Sequence, residues 1–343
     1  MTALTIALDA MGGDNAPESV IEGASIARRF NKSVDFIVYG DENKITSLIK
    51  KYKNLKTGVK IIHTSVYISS EEIPSNAVRR GRDSSMALAI QSVKDGVSHA
   101  SVSAGNTGAL MALSMFILRP LEGVRRPAIC SSLPTLHGWS CMLDLGANIE
   151  ADKENLVQFG VMGAVFSRIF GGEKKPTVGL LNVGTESIKG HDHIADAGRV
   201  LTTVDMLNYQ GFIEGDDIGK GTVDVVVSDG FSGNIALKAI EGTAKLIMGT
   251  AKHKMLRSIF GLSSLIVGLP SLLGIRRHLD PARYNGAILL GLNGISVKSH
   301  GGASARAFSF AIKVAIDLAE RKFVEELKSE LSKIDMSVTL DTQ

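Results

Sequence analysis

The sequence predicts an α/β fold built on a mixed sheet, and three observations carry that expectation. Five short apolar runs, at 4–8, 100–103, 141–143, 178–181 and 223–227, have the length of buried strands and are too short for helices. Each ends in glycine beside Asp, Asn, Ser or Thr, and helical apolar spacing resumes most clearly beyond 108 and 230. The runs 128–132 and 139–143 flank a short irregular connection, which suits antiparallel neighbours and makes the sheet mixed. In an open α/β sheet the loops at the strands' carboxyl ends line one crevice. A helix starting there directs free N–H groups and the positive end of its dipole at an anion. One such loop needs no more than a turn and a cap for its explanation, whereas five point to one shared polar crevice.

The elements follow in order. After Asp9-Ala-Met-Gly12-Gly13-Asp14, Pro17 suits the first position of a helix through Phe30, and 34–39 is the second strand, closed by Gly40-Asp41. Residues 44–53 read as a basic amphipathic surface helix and 59–63 as a third strand. Ile73-Pro74 breaks the chain before Arg79, Arg80, Arg82, Ser84 and Ser85, which precede a helix over 86–94. Three arginines beside a capping serine pair suit a phosphate, and equally a solvated basic turn. Asn106, Thr107 and Gly108 then open the apolar helix from Ala109.

Asp144 and Asn148 close the run at 141–143. Asp152 caps a helix through Phe170 whose apolar residues surround its axis, so it is either wholly buried or at a subunit interface. Its Gly160 and Gly163 permit close approach, and 171–176 connects two lobes. The run at 178–181 leads into Asn182, Thr185, Glu186 and Lys189. His191-Asp192-His193 is the one crowd of metal-ligand types, but a spacing of two sends its histidines to opposite sides of a helix, and no metal site is expected. Beyond 223–227 come Asp229, Ser232, Gly233 and Asn234, with Ser232 or Asn234 as the next N-cap. Residues 283–302 give two short strands and the basic loop Lys298-Ser299-His300-Gly301-Gly302. Ser304 caps one long amphipathic helix extending to Leu331, and the residues beyond Ile334 fray.

One segment breaks the pattern. Residues 252–277 are apolar, interrupted by Gly and Pro, and bracketed by Lys252, Lys254, Arg257, Arg276 and Arg277. A bilayer span needs about 20 apolar residues, more than this stretch supplies. It is either a buried helical pair or an exposed element for an anionic membrane surface or an acidic carrier of greasy cargo.

Composition excludes several classes. A net charge of +3 and 5% aromatic residues argue against nucleic acid. With 44% hydrophobic residues over 343, the chain has ample core for one large unit or two intertwined lobes. The start lacks a basic n-region, so no signal peptide is expected, and Cys130 and Cys141 read as reduced core thiols of a cytosolic protein.

Taken with their spacing, DAMGGD at 9–14, SAGNTGA at 103–109, LDLGAN at 143–148, NVGTE at 182–186, SDGFSGN at 228–234 and YNGAILLGLNG followed by KSHG make the chain recognisable. It resembles, end to end, the phosphate:acyl-acyl carrier protein acyltransferases of bacterial phospholipid synthesis, the PlsX family. That resemblance implies a three-layer α/β/α fold like the isocitrate and isopropylmalate dehydrogenases and phosphotransacetylase. It implies one catalytic unit over 1–343, a homodimer, and a cytoplasmic location with peripheral contact at the inner face of the membrane. Contact with a downstream glycerol-phosphate acyltransferase follows from the same resemblance. The reaction implied is acyl-carrier thioester plus inorganic phosphate giving acyl phosphate and free carrier thiol. Transfer from acyl-coenzyme A, a dehydrogenase activity on the related fold, or a noncatalytic carrier-binding scaffold are the other readings.

An activated thioester needs a bound phosphate, donors for the tetrahedral oxyanion and a proton for the leaving thiolate, and no cofactor or metal. Lys189, Lys298 and His300 are the cations expected around phosphate, with His300 as proton donor. Asn106, Thr107, Asn148, Asn182 and Asn234 are expected to line the crevice as donors, and Asp9, Asp14, Asp144 and Asp229 to orient loops or lysines. Gly12, Gly13, Ser85, Thr185, Glu186, Ser232 and Gly233 complete the expected substrate-binding set.

Overall fold

The computed structural model describes residues 4–172, 174–256, 268, 273–275 and 277–333. Its strands are β1 (Thr5–Asp9), β2 (Asp35–Gly40), β3 (Val59–His63), β4 (Ala100–Ser103), β5 (Ala128–Thr135) and β6 (Gly138–Leu143). They continue as β7 (Thr177–Leu181), β8 (Asn208–Ile213), β9 (Val225–Val227), β10 (Ala287–Leu290) and β11 (Ile295–Lys298). Together they make one 11-stranded sheet in the order β3-β2-β1-β4-β11-β10-β5-β6-β9-β7-β8. β10 is antiparallel to β11 and to β5, and β5 to β6, while the remaining pairs are parallel, so the sheet is mixed as expected. β5 joins the two halves. Its Ala128–Cys130 stretch pairs with β10, and its residues 131–135 pair with β6.

Helices cover both faces. They are α1 (Glu18–Phe30), α2 (Glu42–Ile49), α3 (Pro74–Arg80), α4 (Ser85–Lys94), α5 (Thr107–Ile117) and α6 (Lys153–Gly171). α7 (Asp192–Thr203), α8 (Gly215–Lys220), α9 (Gly230–Leu256), α10 (Ala305–Glu320) and α11 (Phe323–Leu331) follow. Alternation along the strands sorts the core into layers. Ile6, Leu8, Cys130, Val225 and Val227 pack with α1, α6 and α10, whereas Ile129, Met142 and Val226 pack with α4 and α5. The all-round apolar helix α6 is buried from Asn155 to Ser167 within one chain. A Cβ on Gly163 would stand 2.6 Å from Val225 Cγ1, so glycine is what lets α6 lie directly on β9. Both cysteines are free and buried, and burial pushes the Cys130 thiol well above its ordinary pKa.

Several boundaries differ from expectation for local reasons. β5 runs on to Thr135, because Leu133 to Thr135 continue the ladder with Ser140 to Gly138. β9 begins only at Val225, since Asp224 turns aside, its Oδ2 accepting from Thr177 N and Oγ1, each at 2.7 Å. α2 starts at Glu42, where Asp41 caps it through Asn43 N and Lys44 N. The expected single C-terminal helix is two, broken at Lys322, whose φ of 51° is left-handed. The apolar segment at 252–277 and the tail beyond Ile334 lie largely outside the described residues. Among the described residues no helix is long and apolar enough to cross a membrane.

Candidate active site

The carboxyl ends of the parallel strands carry two sets of polar loops. The first follows β1, β4 and β11. Asp9 Oδ1 accepts from Ser85 Oγ at 2.6 Å and Met11 N at 3.3 Å, and Oδ2 accepts from Ser103 Oγ at 2.6 Å. Burial raises the pKa of this carboxyl in spite of those donors. A Cβ on Gly12 would sit 2.3 Å from Asp9 Oδ2 and 2.8 Å from Gly105 N, so only glycine lets the β1 and β4 loops meet. Gly13, at φ +104°, turns the chain so that Asp14 N donates to Gly301 O at 2.9 Å, which ties in the third loop.

Lys298 ends β11 partly buried, its Nζ donating to Ala104 O at 3.4 Å and to Ser299 O. Burial lowers its ammonium from 10.5 to about 8, and the nearby Asp9 and Asp14 charges oppose that fall. His300 N donates to Asn285 Oδ1 at 2.9 Å, and His300 Nδ1 accepts from Gly302 N at 3.1 Å. Desolvation, then Lys238 and Lys298, lower the imidazole pKa. With Nδ1 accepting from Gly302 N, Nε2 is the ring nitrogen left to donate towards a ligand.

The second set follows β6, β9 and β7, which are adjacent in the sheet. Asp144 is buried and accepts five hydrogen bonds. Its Oδ1 takes Ile129 N at 2.9 Å, Gly146 N at 3.3 Å and Ala147 N at 3.1 Å. Its Oδ2 takes Asn148 N at 2.6 Å and Asn148 Nδ2 at 2.9 Å. Asp229 caps α9, with Oδ1 accepting from Ser232 N at 2.7 Å and Oδ2 from Ser232 Oγ at 3.1 Å. The cap is thus Asp229, earlier than the Ser232 or Asn234 the spacing suggested, and the helix starts at Gly230. A Cβ on Gly233 would lie 1.9 Å from Asp144 O, which makes this first turn inseparable from the β6 loop. After β7, Asn182 accepts from Val183 N at 2.9 Å and donates to Lys189 O at 2.9 Å. Lys189 Nζ pairs with Glu186 Oε1 at 2.9 Å at the exposed rim, each group holding the other in its charged form.

α9 connects the two sets. Asn234 and Lys238 lie four residues apart and share one face of the helix. Asn234 sits against Gly146, and the Lys238 charge depresses the pKa values of both Lys298 and His300 across the crevice. Lys238, on the same α9 face as Asn234, thus lies within electrostatic reach of Lys298 and His300.

The structure sorts the expected residues by whether their polar atoms are already used. Asn106 spends both amide protons on Ser70 O and Glu72 O, and Asn148 spends both on Pro127 O and Asp144 Oδ2. With Asp9, Gly12, Gly13, Ser85, Asp144, Asn182, Asp229, Ser232 and Gly233, they brace the loops. The Asn234 side-chain amide has no partner among the described residues, and Thr107, Thr185, Glu186 and Lys189 stand at the open rim. Lys238 was missed by motif reading. Its signal was available as the i,i+4 partner of Asn234 on a helix that begins at a strand end.

The fold and site together define an α/β enzyme with a cationic crevice at the strand ends. Over 93% of its length the chain superposes on the EutD phosphotransacetylase from Staphylococcus aureus, covering 94% of that chain at 18% identity and TM-score 0.61. A phosphotransacetylase from Streptococcus pyogenes gives TM-score 0.63 at 17% identity, covering 92% of this chain and 94% of that one. The fold is that of the phosphotransacetylases. Residues 4–326 match the family model described as Fatty acid synthesis protein. The curated phosphate acyltransferase of Rhodospirillum centenum is 50% identical over 97% of this chain and 94% of its own. That of Rhodospirillum rubrum is 47% identical over 97% and 96%. The chain belongs to this phosphate acyltransferase family, and it is a transferase.

Proposed function

We propose that this enzyme transfers the acyl group of an acyl-acyl carrier protein thioester to inorganic phosphate, giving acyl phosphate and free carrier thiol for phosphatidic acid synthesis. The observation that carries the reading is that α9, whose first turn packs on the β6 loop, brings Lys238, on the face of Asn234, within electrostatic reach of Lys298 and His300 on the β11 loop. Lys298, Lys238 and the His300 Nε2–H hold the phosphate dianion, with Lys189 as a further cation once phosphate displaces Glu186. Asn234 and the N-terminus of α9 face the thioester carbonyl. A phosphate oxygen attacks that carbon, the C–O bond forms, and the carbonyl electrons collapse from the tetrahedral oxyanion to break the C–S bond. The leaving thiolate takes a proton from Lys298, whose pKa of about 8 lies close to the ordinary thiol value near 8.5. The proton shed by the more acidic acyl phosphate restores Lys298.

The test is to incubate the purified enzyme with acyl carrier thioester and labelled phosphate, trap acyl phosphate as hydroxamate and titrate the freed thiol. Equal amounts of both products are expected, at undiminished rate after EDTA treatment. Acyl-coenzyme A run in parallel should be the poorer donor, and a preference for it would transfer the assignment to the coenzyme substrate.

A pH dependence follows from Lys298. Its site must be cationic to hold phosphate, and a pKa of about 8 means the charge is present below pH 8 and lost above it. The phosphate KM is expected to rise roughly tenfold per pH unit above 8, since each pKa unit corresponds to about 1.4 kcal/mol. Lys298→Arg should flatten that rise, and an unchanged slope would take Lys298 out of the phosphate site.

We also propose homodimerisation and peripheral attachment to the inner membrane surface, where the downstream acyltransferase would receive the product. No described residue of 242–256 is buried, and Leu246 and Ile247 are exposed beside Lys245. Co-sedimentation with anionic vesicles, diminished by salt, is the expected behaviour. Equal sedimentation with neutral vesicles would remove the electrostatic part.

A further inference from the structure

Five large apolar side chains are exposed at the second set, three on its loops and two on the first turns of α9. Ile149 is 74% exposed, Val183 76%, Ile188 92%, Phe231 62% and Ile235 53%. They follow β6, β7 and β9, three adjacent strands, and so ring the same mouth as Asn234 and Lys189. The surrounding loops are made of glycine, amide and carboxylate residues that brace one another, and nothing in that bracing requires an outward Ile or Phe. Apolar groups gathered at one end of a sheet and facing water mark a surface that meets something apolar. On α9, Phe231 and Ile235 form an i,i+4 strip directly beside the strip of Asn234 and Lys238.

We propose that these five residues form an open apolar lip that seats the acyl chain of the thioester beyond its reacting carbonyl. The inference rests on the acyl-transfer reading and adds where the hydrocarbon lies. Phe231 and Ile235 lie three residues before and one after Asn234 on α9, so a chain whose carbonyl is held at Asn234 has these two side chains as its nearest exposed apolar neighbours on that helix. Two recesses elsewhere carry charged groups in their walls: one of about 700 Å³ has Glu122 and Lys328 beside Leu121 and Leu331, and one of about 750 Å³ has Asp192, Asp196 and Arg199 beside Tyr209 and Phe212. A chain lying on a lip is gripped from one side only. Full withdrawal from water is worth about fourfold in affinity per methylene, so about twofold per methylene is expected here.

The experiment compares hexadecanoyl and butanoyl carrier thioesters with the Ile188→Ser/Phe231→Ser double variant. The ratio of kcat/KM for the long chain to that for the short is expected to fall about tenfold, and Ile188→Ser alone, at a freely solvated position, about threefold. Ile188→Val/Phe231→Leu should restore the ratio. Equal losses on both chains would show that these side chains serve some other purpose and would overturn the proposal. So would an unchanged ratio accompanied by a shift from dimer to monomer in sedimentation, which would assign the lip to a second copy of the chain. Failure of the unmodified enzyme to form acyl phosphate from either thioester would instead defeat the acyl-transfer reading itself.

Discussion

Asn234→Ala is expected to lower kcat by about a hundredfold or more while leaving the phosphate KM within about threefold, because one preorganised oxyanion donor is worth 10²–10³ in rate. Among the expected amides, Asn106 and Asn148 have no proton left to give, whereas that of Asn234 is free and open to the crevice. The side chain is exposed on the first turns of a capped helix, so its removal should leave the thermal midpoint nearly unchanged. Steady-state rates at saturating acyl carrier, with a melting curve of the same sample, check both halves. A kcat within threefold of the parent enzyme would show that the donor lies elsewhere.

Asp144→Ala is expected to produce the largest loss of stability, about 4 kcal/mol or more in denaturant unfolding. The carboxylate accepts five hydrogen bonds, four of them from its own loop (Gly146 N, Ala147 N, and both the backbone N and side-chain Nδ2 of Asn148) and one from Ile129 of β5. Each buried donor stranded by its removal costs about 1–3 kcal/mol, and several are stranded together. The loop it braces also packs on Gly230 and Gly233, so the start of α9 should loosen with it. Asp144→Asn is also expected to destabilise, since its amide NH2 would face N–H donors. A loss below about 1 kcal/mol for the alanine variant would mean that the loop repacks without its centre.

Much of the sheet was legible because buried parallel strands are written as short apolar runs closed by glycine. β1, β2, β4 and β7 followed from that pattern within a residue or two. Boundaries set by side-chain hydrogen bonds were not. Asp224 turns out of the β9 ladder to bond Thr177, 47 positions away in sequence, and no local pattern announces it. The break at Lys322 carries no Gly or Pro to signal it. At the candidate site, motif reading could not separate residues that brace the loops from residues whose polar atoms remain free. Asp144 and Asp229 sit in similar loops, yet one is sealed under five donors and the other caps a helix. Lys238 lay outside every glycine loop, and only the course of α9 brings its charge within electrostatic reach of Lys298.

Whether the α9 face and the Lys298 loop act on one reacting centre is tested most directly by a double-mutant cycle of Asn234→Ala and Lys298→Met on kcat/KM for acyl carrier and phosphate. Groups that stabilise one transition state are coupled, so the double variant should retain at least tenfold more activity than the product of the two single losses allows. Losses that multiply to within twofold would contradict a shared site and leave the two halves of the crevice with separate roles.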